Sequence, residues 1–422
     1  MLKQFTREEK SWIFYDWANS AQSAIVAAII LPIFFKTMAR AGGVSDVDAT
    51  AYWGYATSLG TLICALLAPF LGTLGDFKGY RKRLFAFFLF VGVGGTALLA
   101  FTGSWKLLLV FYMLSTIGFN GSGIYYDAFL NDVTTPERMD KVSTYGYGLG
   151  YIGGSTIPLL IALALIQFGD AIGIPTQLAT QLSFLLTAVW WLVFSIPMLR
   201  NVHQKHGVEP EGNVLSHTFR TLHRTLRDIR SYKPLMFFLI AYFFYIDGVG
   251  TIIHMATVFG DSCGLGSMEL MLVLLVVQIV AFPFAILYGV LAGRFGARRM
   301  ILAGIATYLI VCIVGFRLRT LRDFLILAVL VGTAQGGIQA LSRSFYGKLV
   351  PQGHASEFFG FFDIFGKFSA VVGPALFSLI AQATGRVNMG ILGVMGMFAI
   401  GGIIFLFLVP RDIGRAKDAA GR

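Results

Sequence analysis

Asp363 and Lys367 stand four residues apart in an otherwise apolar stretch. A helix there would put them on one face, as an internal ion pair, or as a gate with a cation free to take a carboxylate. Gln335 and Gln339 share that spacing around Gly336 and Gly337. Their amides suit either a zwitterionic solute or the joining of two helices. Asn120 and Gln22 offer the same chemistry in other apolar runs, and Asn19 does so beside Asp16. Asp247 is followed by Gly248 and Gly250, which would let a helix open and expose backbone to a cavity. It is a candidate for holding a substrate amine or a coupling proton, with Lys367 as the structural alternative. His254, two turns further on, suits a proton relay or an ordinary hydrogen bond. Asp16, Asp127, Asn131, Asp132 and Arg343 fall near the ends of apolar runs, where a ring of ion pairs would form a gate. Helix capping is the favoured reading for Asn131 and Asp132, and a gate or proton role for Asp16 and Asp127. An ionisable group at mid-bilayer costs about 2.5–3.5 kcal/mol even on insertion scales, so each of these must face a cavity or a partner.

The elements that position them are membrane spans. Charged residues are 13% of the 422, and hydrophobic residues 56% with 39 phenylalanines. That is too little charge to solvate a soluble surface. A hydrocarbon core of about 30 Å takes roughly 20 apolar residues per helix. Spans are expected at 12–38, 51–71, 84–103, 106–129, 143–168 and 180–199, then at 234–258, 269–292, 299–316, 322–342, 356–383 and 388–409. The chain therefore divides into a first six-helix bundle (1–199), a polar linker (200–233), a second bundle (234–410) and a tail (411–422). Within the linker, Phe219, Leu222, Leu226 and Ile229 at helical spacing, with Arg220, Arg224 and Arg227 off that face, predict an amphipathic helix on the membrane surface. The first run is too long for a signal peptide and is read as a retained helix.

Lys and Arg set the orientation. Twenty-five of the 33 fall in the termini, the linker and the loops on their side, and seven on the other, with Lys367 inside a span. Termini and linker are therefore expected to be cytoplasmic, in a cell (inner) membrane. The net charge of +11 belongs to this topology and to anionic headgroups, so nucleic acid is no partner.

Gly72-Thr-Leu-Gly-Asp-Phe-Lys-Gly-Tyr-Arg-Lys after the second span aligns with Gly289-Val-Leu-Ala-Gly-Arg-Phe-Gly-Ala-Arg-Arg after the eighth. Gly72/Gly289, Leu74/Leu291, Gly79/Gly296, Arg81/Arg298 and Lys82/Arg299 correspond. Duplicated halves mark transporters that rock two bundles about a midplane site. On these motifs the chain resembles the major facilitator superfamily over essentially its whole length. Gly72, Asp76, Gly79, Arg81 and Lys82 match its loop-two signature, and the resemblance implies that they latch the bundles in the outward-facing state. Gly293 stands where a second Asp76 would be, which puts a second latch in doubt. Tyr15-Asp-Trp-Ala-Asn-Ser-Ala21, Tyr126-Asp-Ala-Phe-Leu130, Gly336-Gly-Ile-Gln-Ala-Leu-Ser-Arg-Ser344, Glu357-Phe-Phe-Gly360 and Gly373-Pro374 look like the "unknown major facilitator" branch, related to the autophagy-linked vacuolar amino-acid effluxers. That resemblance implies export of small solutes, amino acids among them.

Other patterns carry less. Gly148-x-Gly150-x-x-Gly153 lacks the strand that a dinucleotide site needs, and Gly146, Gly150 and Gly154 instead make a smooth face for a neighbouring helix. Cys64, Cys263 and Cys312 have no metal or disulfide spacing, and no His-Glu-x-x-His or Gly-x-Ser-x-Gly occurs. The expected protein is an all-α, twelve-span transporter in two pseudo-symmetric bundles, not an enzyme. No cofactor or metal is expected. It works as a monomer among membrane lipids, moving a small polar solute by alternating access with protons as the coupling ion. An uncoupled facilitator and a non-transporting sensor or scaffold stay open as rivals.

Overall fold

Among the described residues, twelve helices are long and apolar enough to cross a bilayer. The computed structural model describes residues 2–209, 214–227, 233–262, 267–316 and 320–410. The first half comprises α1 (Arg7–Ala41), α2 (Asp46–Gly75), α3 (Tyr80–Phe101), α4 (Trp105–Val133), α5 (Pro136–Ile172) and α6 (Thr176–Asn201). A linker helix, α7 (Val214–Arg227), follows. The second half comprises α8 (Lys233–Ser262), α9 (Ser267–Phe295), α10 (Ala297–Gly315), α11 (Leu321–Leu349), α12 (Ala355–Thr384) and α13 (Gly390–Leu408). Each overlaps an expected run. Nine extend past it at both ends, because polar ends outside the hydrocarbon keep winding, while α3, α10 and α13 stop one or two residues short of the expected end. Reciprocal capping boxes fix two of those starts, Thr6 with Glu9 for α1 and Thr320 with Asp323 for α11.

Each half has its own aromatic-rich core. Trp12, Tyr15, Phe85, Tyr125, Phe129 and Trp191 fill the first, and Phe238, Tyr245, Tyr308 and Phe398 the second. The outer surface instead shows large apolar side chains such as Leu66, Phe87, Ile310 and Phe407, which only lipid can cover at this density. The halves meet along two seams, α2 on α12 and α5 on α9. A Cβ at Gly72 would overlap the Ser356 carbonyl oxygen, and one at Gly289 would overlap Thr144 Oγ1. The aligned glycines thus sit at equivalent crossings of the two seams. Gly79 and Gly296 match as well, both in the positive-φ region at 79° and 87°, which turns the chain into the next helix.

The linker is tied to the first half. Lys78 N–H donates to the Val208 carbonyl at 3.1 Å, and Val208 N–H to the Asp76 carbonyl at 2.9 Å. Phe219 lies 5.0 Å from the ring of Phe70 of α2, tilted at 42°, so the linker helix touches the first half there. Ile229 and the tail 411–422 lie outside the described residues. Two spans contain π-helical turns, Gln22–Ile29 in α1 and Gly150–Thr156 in α5. Wider winding of this kind often marks functional positions. The glycine face of α5 packs on α1 as expected, with Gly146 against Asp16 and Trp12, and Gly150 and Gly154 against Ser20.

Candidate functional site

Arg343 of α11 reaches out of its own half into the other. Its Nη2 donates to Asp16 Oδ2 of α1 at 3.0 Å and its Nη1 to Asp127 Oδ1 of α4 at 3.1 Å. Its Nε donates to Ser143 Oγ of α5 at 3.0 Å. The guanidinium also lies over three rings, Trp12 at 4.6 Å, Tyr126 at 5.3 Å and Tyr147 at 4.4 Å. A planar, permanently charged fork suits such a mixed cage better than a lysine would. Beside it, Ser143 Oγ donates to the Ala340 carbonyl at 2.7 Å. Asp140 accepts from Ser344 Oγ at 2.7 Å and from Lys348 Nζ at 2.6 Å.

The second network closes the α2–α12 seam. Asp76 follows the last turn of α2 and accepts Ser356 N–H at 2.7 Å and Glu357 N–H at 2.9 Å, both in the first turn of α12. A carboxylate there satisfies orphan donors and meets the positive end of the helix dipole. Arg81, wholly buried, donates to Asp76 Oδ1 at 2.8 Å, to Asp132 Oδ2, and through Nε to Ser356 Oγ at 2.7 Å. Gly72 permits the approach and Gly79 the turn, while Lys82 is half-buried beside Arg81. The second copy is built differently. Gly293 brings no carboxylate, and Arg298 donates to the Leu406 carbonyl of α13 at 2.6 Å.

Asn131 and Asp132 depart from their expected capping role. Asn131 Nδ2 donates to the Gly347 carbonyl in the other half at 2.9 Å. Asp132 pairs with Arg81 and accepts the N–H groups of Lys205 and His206, both at 3.0 Å. Among the described residues, the polar contacts between the halves cluster at the end that carries the basic loops. Gln335 Nε2 to Tyr151 Oη, at 3.4 Å, is the one nearer mid-membrane. The structure is therefore closed at its basic end.

Other expected site residues separate. Asp247 was expected on the cavity wall, yet it has no exposed surface. Its Oδ1 accepts Gly373 N–H of α12 at 2.9 Å and Thr251 Oγ1 at 3.5 Å, while Oδ2 has no partner. Nor does it pair with Lys367, which bonds Asp363 one turn away on α12. Gln22 is also turned inward, donating to Ser115 Oγ at 3.2 Å, and so joins α1 to α4. Asn19 is buried in α1, and Asn120 and Gln339 are half-buried. The side chain of His254 lies outside the described residues.

A sequence profile described as "Vacuole effluxer Atg22 like" matches residues 5–137 and 131–419. The chain belongs to this family. It is 50% identical over 416 residues to the MFS-type transporter YxiO of Bacillus subtilis (strain 168), covering 98% of this chain and 97% of that one. Autophagy-related protein 22 of Coccidioides immitis (strain RS) is 23% identical over 98% of this chain and 88% of its own. The fold is similar to that of the human organic anion transporter MFSD10 (TETRAN), with a TM-score of 0.75 and 12% identity over 94% of this chain and 99% of that one. The protein is a multi-pass membrane transporter of the major facilitator type. Trp12, Tyr126, Tyr147, Ser143 and Ser356, all in the networks of this Atg22-like chain, escape a reading of charge alone, and Asp140 goes unmarked because it sits in a polar loop-side stretch. The aromatic residues look like interfacial anchors, and only their clustering around one arginine distinguishes them.

One titrating group stands beside the seam, outside the spans. His354 Nδ1 lies 3.3 Å from Glu357 Oε2, and Asp76 faces it from the end of α2. The hydrogen bond to Glu357 raises the imidazole above its ordinary value, with the charge of Asp76 adding to it. Glu357 belongs to the same half as His354, so only the share raised by Asp76 depends on closure. That share stabilises the closed form fully below the ordinary value of about 6.5 and is lost as pH rises through the raised one. Spin labels at Arg83 and Gln352 are thus expected to report a larger closed fraction at pH 6 than at pH 8. His354→Gln should flatten that dependence, and an unchanged pH profile in the variant would assign it elsewhere.

Proposed function

We propose that this transporter moves a small polar solute, amino acids among them, by alternating access, with export favoured and a proton as coupling ion. The observation that carries the reading is Arg343, through which one half holds two carboxylates of the other. Separating those ion pairs opens the basic end, and remaking them closes it. The rocking units are residues 1–199 and 234–410, joined by the linker 200–233, and the protein acts as a monomer. The bias of Lys and Arg supports a cytoplasmic basic end in the cell membrane, so the described state faces outward. A solute drives this cycle only through different affinities for the two states.

Asp247 is the proposed proton carrier, since Oδ2 is unpartnered while Oδ1 holds the Gly373 N–H. Asp16 and Asp127 are the second stations. In proteoliposomes with an imposed pH gradient, Asp247→Asn should abolish concentrative transport while leaving counterflow exchange. Accumulation against a gradient by that variant would reject coupling through Asp247. The same burial favours one rival, an uncoupled facilitator in which Asp247 only clamps α12 to α8.

A further inference from the structure

We propose that the cage around Arg343 is a binding site for the guanidinium or substituted-ammonium group of a cationic solute, and that Arg343 occupies it in place of that solute when the basic end is closed. The inference rests on the alternating-access reading and names the chemistry of the solute's head.

The cage comes almost wholly from one half. Asp16 and Trp12 lie on α1, Tyr126 and Asp127 on α4, and Ser143 and Tyr147 on α5, and only Arg343 comes from the other side. It is also held together without Arg343. Trp12 Nε1 donates to the Tyr126 carbonyl at 2.8 Å, and the two rings stack at 4.4 Å and 18°. Tyr15 packs on Tyr126 at 4.7 Å and bonds Ser122 Oγ at 2.9 Å. When α11 withdraws, the aromatic walls and two carboxylates stay in place with their cation removed.

Two carboxylates inside an aromatic box are poorly satisfied by water and well satisfied by a delocalised cation. A guanidinium reproduces the contacts that Arg343 makes: two carboxylate bonds, a hydroxyl bond and three ring faces. Asp127 keeps 25% of its side-chain surface exposed. Asp363 lies within electrostatic reach of Asp127 across the space between the halves, and it holds Lys367 one turn away. Through Asp363, Lys367 is the cation on the other half that would take the carboxylate end of a zwitterion whose cationic end enters the cage.

The test uses the full chain in nanodiscs at constant ionic strength. Arg343→Ala empties the cage, and methylguanidinium and L-arginine at millimolar concentration should then raise its melting temperature saturably. Apparent affinity should be at least tenfold better than for the unaltered chain. L-Leucine and sodium chloride should have no such effect, and Trp12→Leu or Asp127→Asn in the same background should remove it. If Arg343→Ala does not fold, Gly72→Val keeps Arg343 but holds the basic end open, and should bind arginine at least tenfold better than the unaltered chain. Stabilisation equal to that of sodium, or no saturable binding in a folded variant, overturns the proposal. Arginine binding without flux would retain the cage and remove the transport reading. Flux of neutral solutes with an inert cage would do the reverse.

Discussion

Arg343→Gln is expected to lower the stability of the described state by about 3–5 kcal/mol, the cost of removing one partner from a buried ion cluster. Asp16 and Asp127 would be left facing each other in an aromatic box, with the neutral amide unable to offset either charge. Because about 1.4 kcal/mol is a tenfold change in an equilibrium, the closed basic end would lose a factor of 100 or more in population. Thermal denaturation in nanodiscs reads the first effect, and the Arg83–Gln352 spin-label distance reads the second. Adding Asp16→Asn and Asp127→Asn to Arg343→Gln should recover most of the stability, since the uncompensated charges go with them. If the triple variant melts as low as the single, the arginine contributes packing and not charge balance.

Gly72→Val is the second large effect, and it is steric. The new Cβ would overlap the Ser356 carbonyl oxygen and stand 3.1 Å from Glu357 Cα. Both are backbone atoms at a helix start, so no rotamer change relieves them, and overpacking costs about 1–3 kcal/mol where the surroundings can give. Here relief requires the seam itself to part. The variant should fold, hold its basic end open, and show counterflow below about a tenth of the unaltered rate, since a transporter held in one state cannot cycle. Gly289→Val makes a useful contrast. Its Cβ meets Thr144 Oγ1, a side-chain atom that can turn away, so the loss there should be milder. Equal loss in both would mean that the latch side has no special weight.

Much of this molecule is legible in its sequence because lipid imposes a simple rule. All twelve spans lie where apolar length puts them, since a helix in hydrocarbon must satisfy its own backbone. Asp363 with Lys367 follows from four-residue spacing alone. Arg343, Asp16 and Asp127 come together as a ring of charges at the mouths of runs suggests. What the sequence hides is direction across a helix axis. Asp247 is at the expected depth but turned toward Gly373, and nothing in spacing tells a cavity wall from a neighbouring backbone. For Gln22 the structure takes the helix-joining alternative, which spacing could not choose, because an amide that binds a solute and one that binds Ser115 look identical in a string of letters. Asn131 and Asp132 sit where caps belong, and only the assembled halves show that their partners come from elsewhere.

The π-wound stretch Gln22–Ile29 has a mechanical corollary for α1. Each residue of an ordinary helix turns the chain by about 100°, so shortening this stretch by one residue to regain α winding would swing everything beyond it by roughly that angle. Phe34 and Phe35, which now point into the core, would rotate toward the hydrocarbon, while Trp12, Tyr15 and Asp16 kept their places. Single-residue deletions across Gln22–Ile29 would therefore uncouple the outer wall of the first half from its gate, a defect that no side-chain replacement there would reproduce.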